Sequence, residues 1–363
     1  MKKIITIIGA RPQFIKTPLV SKEIRKFAKE ILVHTGQHYD ANMSAVFFNE
    51  LKIPKADYNL NVGSGNQGQQ TGEMLEKIEQ VLLKEKPDLV IIYGDTNSTV
   101  SGALAAVKLH IPVAHIESGM RSYNRQMPEE INRIISDHIS ELLFCSTMSS
   151  AKILKEEGIA KGVYFVGDVM ADIQKKIRNP KSEIRNKLFK TLNIKPKEYI
   201  LATVHRQENT DIKENLENIF KAMGQIGETI ILPLHPRTKK AIKTHKLQTL
   251  VDKNSNLRLI EPIGYLEMLA LGSSAKMILT DSGGVQKEAY LNKVPCITLR
   301  KETEWIETIQ SGWNQLANTN VNKIVRLVKN FPKPKNHPNF LGNGKAYLEI
   351  AQKIKEFLIR TKI

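Results

Sequence analysis

Cysteine is nearly missing from this chain. Its 363 residues hold two, Cys145 in ELLFCS and Cys296 in VPCITL, each inside an apolar strand-like run and neither in a CxxC or other ligand spacing. This argues against a cysteine zinc site and predicts two buried, reduced thiols. Long apolar runs are missing too, since no stretch approaches the roughly 20 residues that span a bilayer. The opening MKKIITIIGARPQF sets two lysines before an apolar stretch. That stretch stops after about six residues, too short for the apolar region of a secretion signal, and no small-residue cleavage site follows. A cytoplasmic location is therefore expected. Acidic residues are in deficit, 37 Asp+Glu against 54 Lys+Arg, for a net charge of +17. A nucleic-acid surface and a lysine-rich solvated one both fit that excess. No basic block carries interleaved aromatics, and the basic residues scatter along amphipathic stretches such as SKEIRKF and AQKIKEFLIRT. The solvated surface is the preferred reading, with no nucleic-acid partner, although a positive field would help capture a diphosphate.

What is present is an ordinary globular balance, 41% hydrophobic and 25% charged, in a chain longer than one core usually serves. Short runs rich in Ile, Val and Leu recur: KIITIIG, EILVHTG, DLVIIYGD, PVAHIES, ELLFCS and VYFVGD, then YILATVH, TIILPLH, LRLIEP, MILTDSG and PCITL. Helical patterns such as TGEMLEKIEQVLLKEK and NLENIFKAMGQIG lie between most of them. The alternation predicts α/β architecture, two doubly wound Rossmann-like domains with helix-covered parallel sheets. A polar, lysine-rich stretch with Asn179-Pro180 and Pro196 interrupts the series. It divides the chain into an N-terminal domain over 1–170 and a C-terminal domain over 171–344. After the Pro- and Gly-rich FPKPKNHPNFLGNG, a helix over about 345–363 is expected to pack back on the first domain. No internal repeat or low-complexity segment is found. Two glycine motifs are set aside. GSGNQG from Gly63 follows a polar loop rather than the first strand, so it is not read as a dinucleotide fingerprint. GNGKAY lacks the Ser or Thr that a P-loop needs after its lysine.

In open parallel sheets, ligands sit beyond the carboxyl ends of the strands, so polar residues directly after apolar runs are privileged. The first run ends in GARPQFIK, where the planar fork of Arg11 suits a phosphate and Lys16 adds a mobile charge on the following helix. DLVIIYGD ends in Asp95, which would serve equally as a helix cap, and HIES ends in Glu117, a poorer capping type. In MPEEINR, Glu129, Asn132 and Arg133 share a helical face, which also fits a local salt bridge. LATVHRQEN puts His205 and Arg206 at a strand end, and LPLHPR does the same for His235 and Arg237; such histidines are either satisfied core residues or phosphate donors. In MILTDSGGVQKEA, Ser282-Gly283-Gly284 turns a strand into a helix whose N-terminus is a ready anion site. Glu288, about one turn on, is placed to accept from two ribose hydroxyls.

Taken together, GARPQFIK, GDTNS, HIESGMR, PEEINR, HRQEN and TDSGGVQKEA resemble, in order and over nearly the whole chain, the motifs of the non-hydrolysing UDP-N-acetylglucosamine 2-epimerases. The resemblance implies a glycosyltransferase-B-like fold, a UDP-sugar bound in a cleft between two domains, a homodimer, and no redox cofactor or metal. It places Arg11, Lys16, Asp95, Glu117, Glu129 and His205 among the catalytic or sugar-diphosphate residues, with Arg133 and His235 as further substrate contacts. Ser282, Gly283, Gly284 and Glu288 fall on the nucleotide contacts. Some members are regulated by a second UDP-N-acetylglucosamine near the TGQH loop, and Gln37, His38 and Arg206 are the corresponding candidates here. The chain departs from the pattern at Gln13, where the family has glutamate, and at Trp305 in ETEWIE, where many members have arginine.

The implied chemistry also explains the residue types. No carbonyl acidifies the C2 hydrogen of the sugar, so direct deprotonation is very costly. Elimination of UDP across C1 and C2 gives a glycal, and re-addition after protonation of the opposite face gives the manno epimer. That needs acid/base groups for both faces, here Asp95, Glu117 and Glu129. It also needs preorganised positive partners for the departing diphosphate, here Arg11, His205 and the Ser282-Gly283-Gly284 turn. A hydrolysing relative that releases free N-acetylmannosamine, and a related UDP-sugar 2-epimerase, remain the alternatives; a non-catalytic nucleic-acid-binding protein would explain only the charge.

Overall fold

Continuous Val/Ile/Leu runs need cover on both faces, and here they form two all-parallel sheets, as buried strands of this kind should. The structure, a computed structural model, describes residues 1–37, 50–177, 182–334 and 336–360. It divides into two compact units, one of Met1–Ile177 with Asn339–Ile363, the other of Arg178–Pro338.

The first unit holds β1 (Lys3–Ile8), β2 (Lys29–His34), β3 (Tyr58–Asn59), β4 (Leu89–Tyr93), β5 (Val113–Ser118), β6 (Leu142–Cys145) and β7 (Val163–Phe165), in the sheet order β3-β2-β1-β4-β5-β6-β7. Ile5 lies opposite Ile31 on one side and Val90 on the other. Ile5, Ile7, Val33, Val90 and Ile92 pack with Met74 and Ile78 of the helix Gln67–Glu85, and with Ala103 and Ala106 of the helix Asn97–Lys108.

The second unit holds β8 (Ile200–Thr203), β9 (Ile230–Pro233), β10 (Leu257–Ile260), β11 (Met277–Thr280), β12 (Cys296–Thr298) and β13 (Asn314–Leu316), ordered β10-β9-β8-β11-β12-β13. Its helix Lys213–Ile226 carries Leu216, Ile219, Phe220, Met223 and Ile226 on one face and buries them against Ile200 and Ala202. It stops at Gly227, in the left-handed conformation that ends many helices. The two strands not anticipated, β3 and β13, are short, partly polar sheet edges. Strand order reverses between β1 and β4 in one sheet and between β8 and β11 in the other, and those are the points where open α/β sheets receive ligands.

Both cysteines are buried free thiols, and burial pushes each up to about 12. No described helix is long and apolar enough to cross a membrane. The closing helix Ala346–Arg360 packs on the helices Arg11–Ile24 and Val169–Lys176 of the first unit. The Asp168 amide donates to the Leu341 carbonyl at 2.9 Å, and the Tyr347 amide to Asp172 at 3.1 Å.

Asp172 pays electrostatically for that position. Burial raises its carboxyl to about 6, outweighing the backbone bonds of Tyr347 and Ala346 and the charge of Lys175, with Asp168 adding to the rise. Because this is above the ordinary Asp value near 3.9, the native state binds the proton more tightly than the unfolded chain between those two values. Ionisation therefore destabilises the fold as pH rises through about 6. Asp172→Asn should stabilise the protein at pH 8 by up to about 3 kcal/mol, with the gain vanishing below pH 4. Urea unfolding at both pH values checks this.

Candidate active site

At the reversal point of the first sheet, the β1 and β4 ends are tied together by one amide. Gln13, buried in the first turn of the helix after β1, accepts from the Gly9 and Ala10 amides at 2.7 and 3.0 Å. Its Nε2 donates to the Tyr93 carbonyl at 3.0 Å and to the Thr96 and Thr99 hydroxyls at 3.0 and 3.1 Å. This accounts for the departure from glutamate: a carboxylate has no hydrogen for the Tyr93 carbonyl. Gln13→Glu should cost about 1–2 kcal/mol of stability, as expected for a buried acceptor pressed against a second acceptor; an unchanged urea midpoint would show the bond to be dispensable.

The two candidate carboxylates at the ends of β4 and β5 each face a cation. Lys16, buried on the helix Arg11–Ile24, forms an ion pair with Glu117 of β5. Asp95, just past β4, receives Arg133 Nε at 3.0 Å and Nη2 at 2.7 Å on one oxygen. Asn132 Nδ2 donates to the Asp95 carbonyl at 2.9 Å. Gly94, with φ 63, leaves space between the pairs: a Cβ there would lie 3.4 Å from the Glu117 carboxylate and 3.6 Å from Lys16 Nζ. The motifs GARPQFIK, GDTNS, HIES and PEEINR thus meet at one place. Arg11 is half-buried at the start of its helix.

Within PEEINR, Glu129 is half-buried in the first turn of the helix Pro128–His138, while Glu130 turns inward. Glu130 accepts from the Ser122 and Tyr123 amides at 2.9 and 2.8 Å and from Arg133 Nη1 at 2.6 Å. It builds the loop and orients Arg133, a role that sequence reasoning did not assign.

Glu117 has φ 70, unusual for a residue with a side chain, and lies where the β5–β6 register shifts between Ile116 and Ser118. Around it sits a buried network. His115 places Nδ1 2.7 Å from Asp137 and Nε2 2.7 Å from the Gly94 carbonyl. Asp137 also accepts from the Gly119 amide at 3.0 Å and from Arg121 at 2.7 Å. Burial by itself would raise the Asp137 carboxyl; His115 and Arg121 outweigh it and hold the group below the usual range.

In the second unit, the buried Asp281 ties the β8 and β11 ends together. It accepts from the amides of His205 and Arg206, each at 2.9 Å, and from Asn209 Nδ2 at 3.1 Å. His205 stacks on His235 with ring centroids 5.1 Å apart. His235 Nδ1 accepts from the Arg237 amide at 3.1 Å, so its hydrogen is on Nε2. Ser282 is the N-cap residue of the helix Gly283–Leu291, its side chain making no cap bond, and Gly283 and Gly284 open that helix. Trp305 is buried beside it, its Nε1 3.4 Å from where a Cβ of Gly283 would be, and Lys287 Nζ lies 4.2 Å from the centre of its indole ring. Glu288 is buried on the same helix. The fully buried Arg300, unnoticed in the sequence, pairs with Glu304 at 3.0 Å and with Glu208 at 3.3 Å; only its position after β12 marks it.

Of the candidate regulatory residues, Gln37 accepts from the Ser98 hydroxyl at 2.8 Å, Arg206 lies in the second unit, and His38 falls outside the described residues.

Against known proteins, a sequence profile of the UDP-N-acetylglucosamine 2-epimerases matches residues 22–355. The chain is 55% identical to the UDP-N-acetylglucosamine 2-epimerase homolog of Methanococcus maripaludis, over 97% of this chain and 99% of that one. It is 47% identical to the UDP-2,3-diacetamido-2,3-dideoxy-D-glucuronate 2-epimerase of Pseudomonas aeruginosa, over 90% and 91%. The crystal structure of the Methanocaldococcus jannaschii UDP-GlcNAc 2-epimerase in complex with UDP-GlcNAc and UDP matches with a TM-score of 0.92 at 43% identity, over 98% of this chain and 100% of that one.

Proposed function

This chain belongs to the UDP-N-acetylglucosamine 2-epimerase family, and from that premise we propose that it converts UDP-N-acetylglucosamine to UDP-N-acetylmannosamine without hydrolysis, by eliminating UDP to a glycal and adding it back. The observation that carries the reading is the pair of ion-paired carboxylates, Asp95 with Arg133 and Glu117 with Lys16, at the ends of the neighbouring strands β4 and β5. Elimination and re-addition require one group to take the C2 proton and another to return one to the opposite face; Asp95, Glu117 and Glu129 are the residues assigned to that exchange. Arg11, His205 and the Ser282-Gly283-Gly284 helix start are assigned to the diphosphate, whose negative charge grows as the C1–O bond breaks. Glu288 is assigned to the ribose hydroxyls, with Arg133 and His235 as further substrate contacts. The scheme calls on neither metal nor nicotinamide. The family resemblance further supports a cytoplasmic homodimer that supplies a precursor for polysaccharide synthesis.

Incubation with UDP-N-acetylglucosamine, followed by proton NMR, tests this: an equilibrium of the two UDP-sugars supports it, and free N-acetylmannosamine with UDP points to the hydrolysing course. A second reading has an observation of its own. Trp305 replaces a residue that is arginine in many members, and one close relative is named for a diacetamido uronate. If UDP-N-acetylglucosamine is left unchanged while UDP-2,3-diacetamido-2,3-dideoxy-D-glucuronate is epimerised, the reaction stands and the sugar changes.

A further inference from the structure

We propose that Asp137 is a positioning residue: it clamps the backbone on both sides of Glu117 and, through His115, grips the turn that carries Asp95, thereby aiming both carboxylates. The proposal rests on the epimerase reading of those two groups.

The argument begins with a conformation that glutamate does not choose. The left-handed region crowds the Cβ of any residue but glycine against the backbone, and it persists only where the surroundings impose it. Glu117 occupies it at φ 70, at the register shift of β5. Such a bulge re-aims the side chain. Two residues before Glu117, the His115 ring bonds one oxygen of Asp137 at 2.7 Å; two residues after it, the Gly119 amide bonds the other at 3.0 Å. One buried carboxylate therefore spans the strained residue. Gly119 is itself fixed, with φ 75 and a hypothetical Cβ only 2.4 Å from the Ser150 carbonyl, so no larger residue fits.

The far side of the imidazole completes the device. A carbonyl only accepts, so the contact with the Gly94 carbonyl at 2.7 Å requires a hydrogen on His115 Nε2. Gly94 immediately precedes Asp95, and the site of its missing Cβ adjoins the Glu117 carboxylate. Arg121 braces Asp137 from a third direction at 2.7 Å while both of its terminal edges are occupied, by the Met120 carbonyl and by Glu157 at 2.8 and 2.7 Å. His115 and Asp137 are fully buried, so neither is open to a substrate. Their effect must therefore act through geometry.

The test uses the full chain. Asp137→Asn should lower kcat by about 10- to 100-fold, with KM and UDP affinity within threefold of the wild type, and should speed exchange of the Gly119 amide with D2O. His115→Gln, which retains a donor for the Gly94 carbonyl, should keep at least about tenfold more kcat than His115→Phe. If Asp137→Asn does not fold, the His115 pair still decides. Folded variants with kcat within threefold of the wild type overturn the clamp, as does a fall in UDP affinity in step with kcat. A wild type that epimerises no UDP-sugar refutes the epimerase reading instead, and Gly119 exchange still reports whether the clamp exists.

Discussion

Asp95→Asn, Glu117→Gln and Glu129→Gln should each lose on the order of a hundredfold or more in kcat, with a smaller change in KM. An amide preserves size and one acceptor but cannot take a proton from C2. The losses should differ in kind. Asp95→Asn sets an amide against the bidentate fork of Arg133, whose Nε and Nη2 both point at one oxygen, and so disturbs the arginine as well. Glu117→Gln takes the negative charge away from a buried ion pair with Lys16. Weakening a buried pair from one side is destabilising, so part of the deficit will appear as lowered stability. Glu129 lies half-exposed at a helix start, and its amide should leave the melting temperature nearly unchanged. Turnover in D2O provides the check that mutagenesis cannot: deuterium should enter at C2, because the abstracted proton exchanges before the opposite face is reprotonated. Product free of label would refute elimination whatever the variants do. Label with all three amides active would leave the mechanism standing and discard the residues.

Asp281→Ala should be nearly as severe, through binding rather than chemistry. The residue is fully buried, and its two oxygens collect the amides of His205 and Arg206 and the side chain of Asn209. Alanine removes the acceptor of the two backbone amides, while Asn209 Nδ2 keeps the Leu299 carbonyl at 2.9 Å, at a cost of about 3 kcal/mol. It also releases the β8 end from the β11 end, where His205 and the Ser282-Gly283-Gly284 start are held. UDP affinity should fall by about thirtyfold or more, whereas Asp281→Asn, which keeps one acceptor, should lose several-fold less. Calorimetric titration with UDP at matched protein stability separates the two; equal affinities in both variants and the wild type would remove Asp281 from the binding face.

Much of the architecture was legible because buried parallel strands announce themselves as uninterrupted Ile, Val and Leu. β3 and β13 did not, since an edge strand of two or three residues such as Tyr58–Asn59 carries no such run. Strand ends also drew attention to Asp95, Glu117, His205 and Ser282. What spacing does not encode is which side chains meet across tens of positions or more. Lys16 and Glu117 are 101 residues apart, and Asp95 and Arg133 are 38 apart. Likewise, the neighbours Glu129 and Glu130 look interchangeable in PEEINR, and only the loop at Ser122 distinguishes them. His115, in mid-strand, reads as core, and Asp137, ahead of a histidine on a helix, reads as surface. Both are buried, and what the pattern does not show is the backbone each one bonds, the Gly94 carbonyl for His115 and the Gly119 amide for Asp137.

The chain order of the first unit has a bearing on synthesis. Its last helix, Ala346–Arg360, lies against the helix Arg11–Ile24 but is made after the entire second unit, Arg178–Pro338. At ribosomal rates, making the second unit alone takes roughly ten to thirty seconds. During that wait the helices Arg11–Ile24 and Val169–Lys176 stay uncovered on the faces where the last helix will pack. A chain cut short before Ala346 would have a finished second unit and a first unit still open, the form most exposed to aggregation and to the proteases that clear incomplete products.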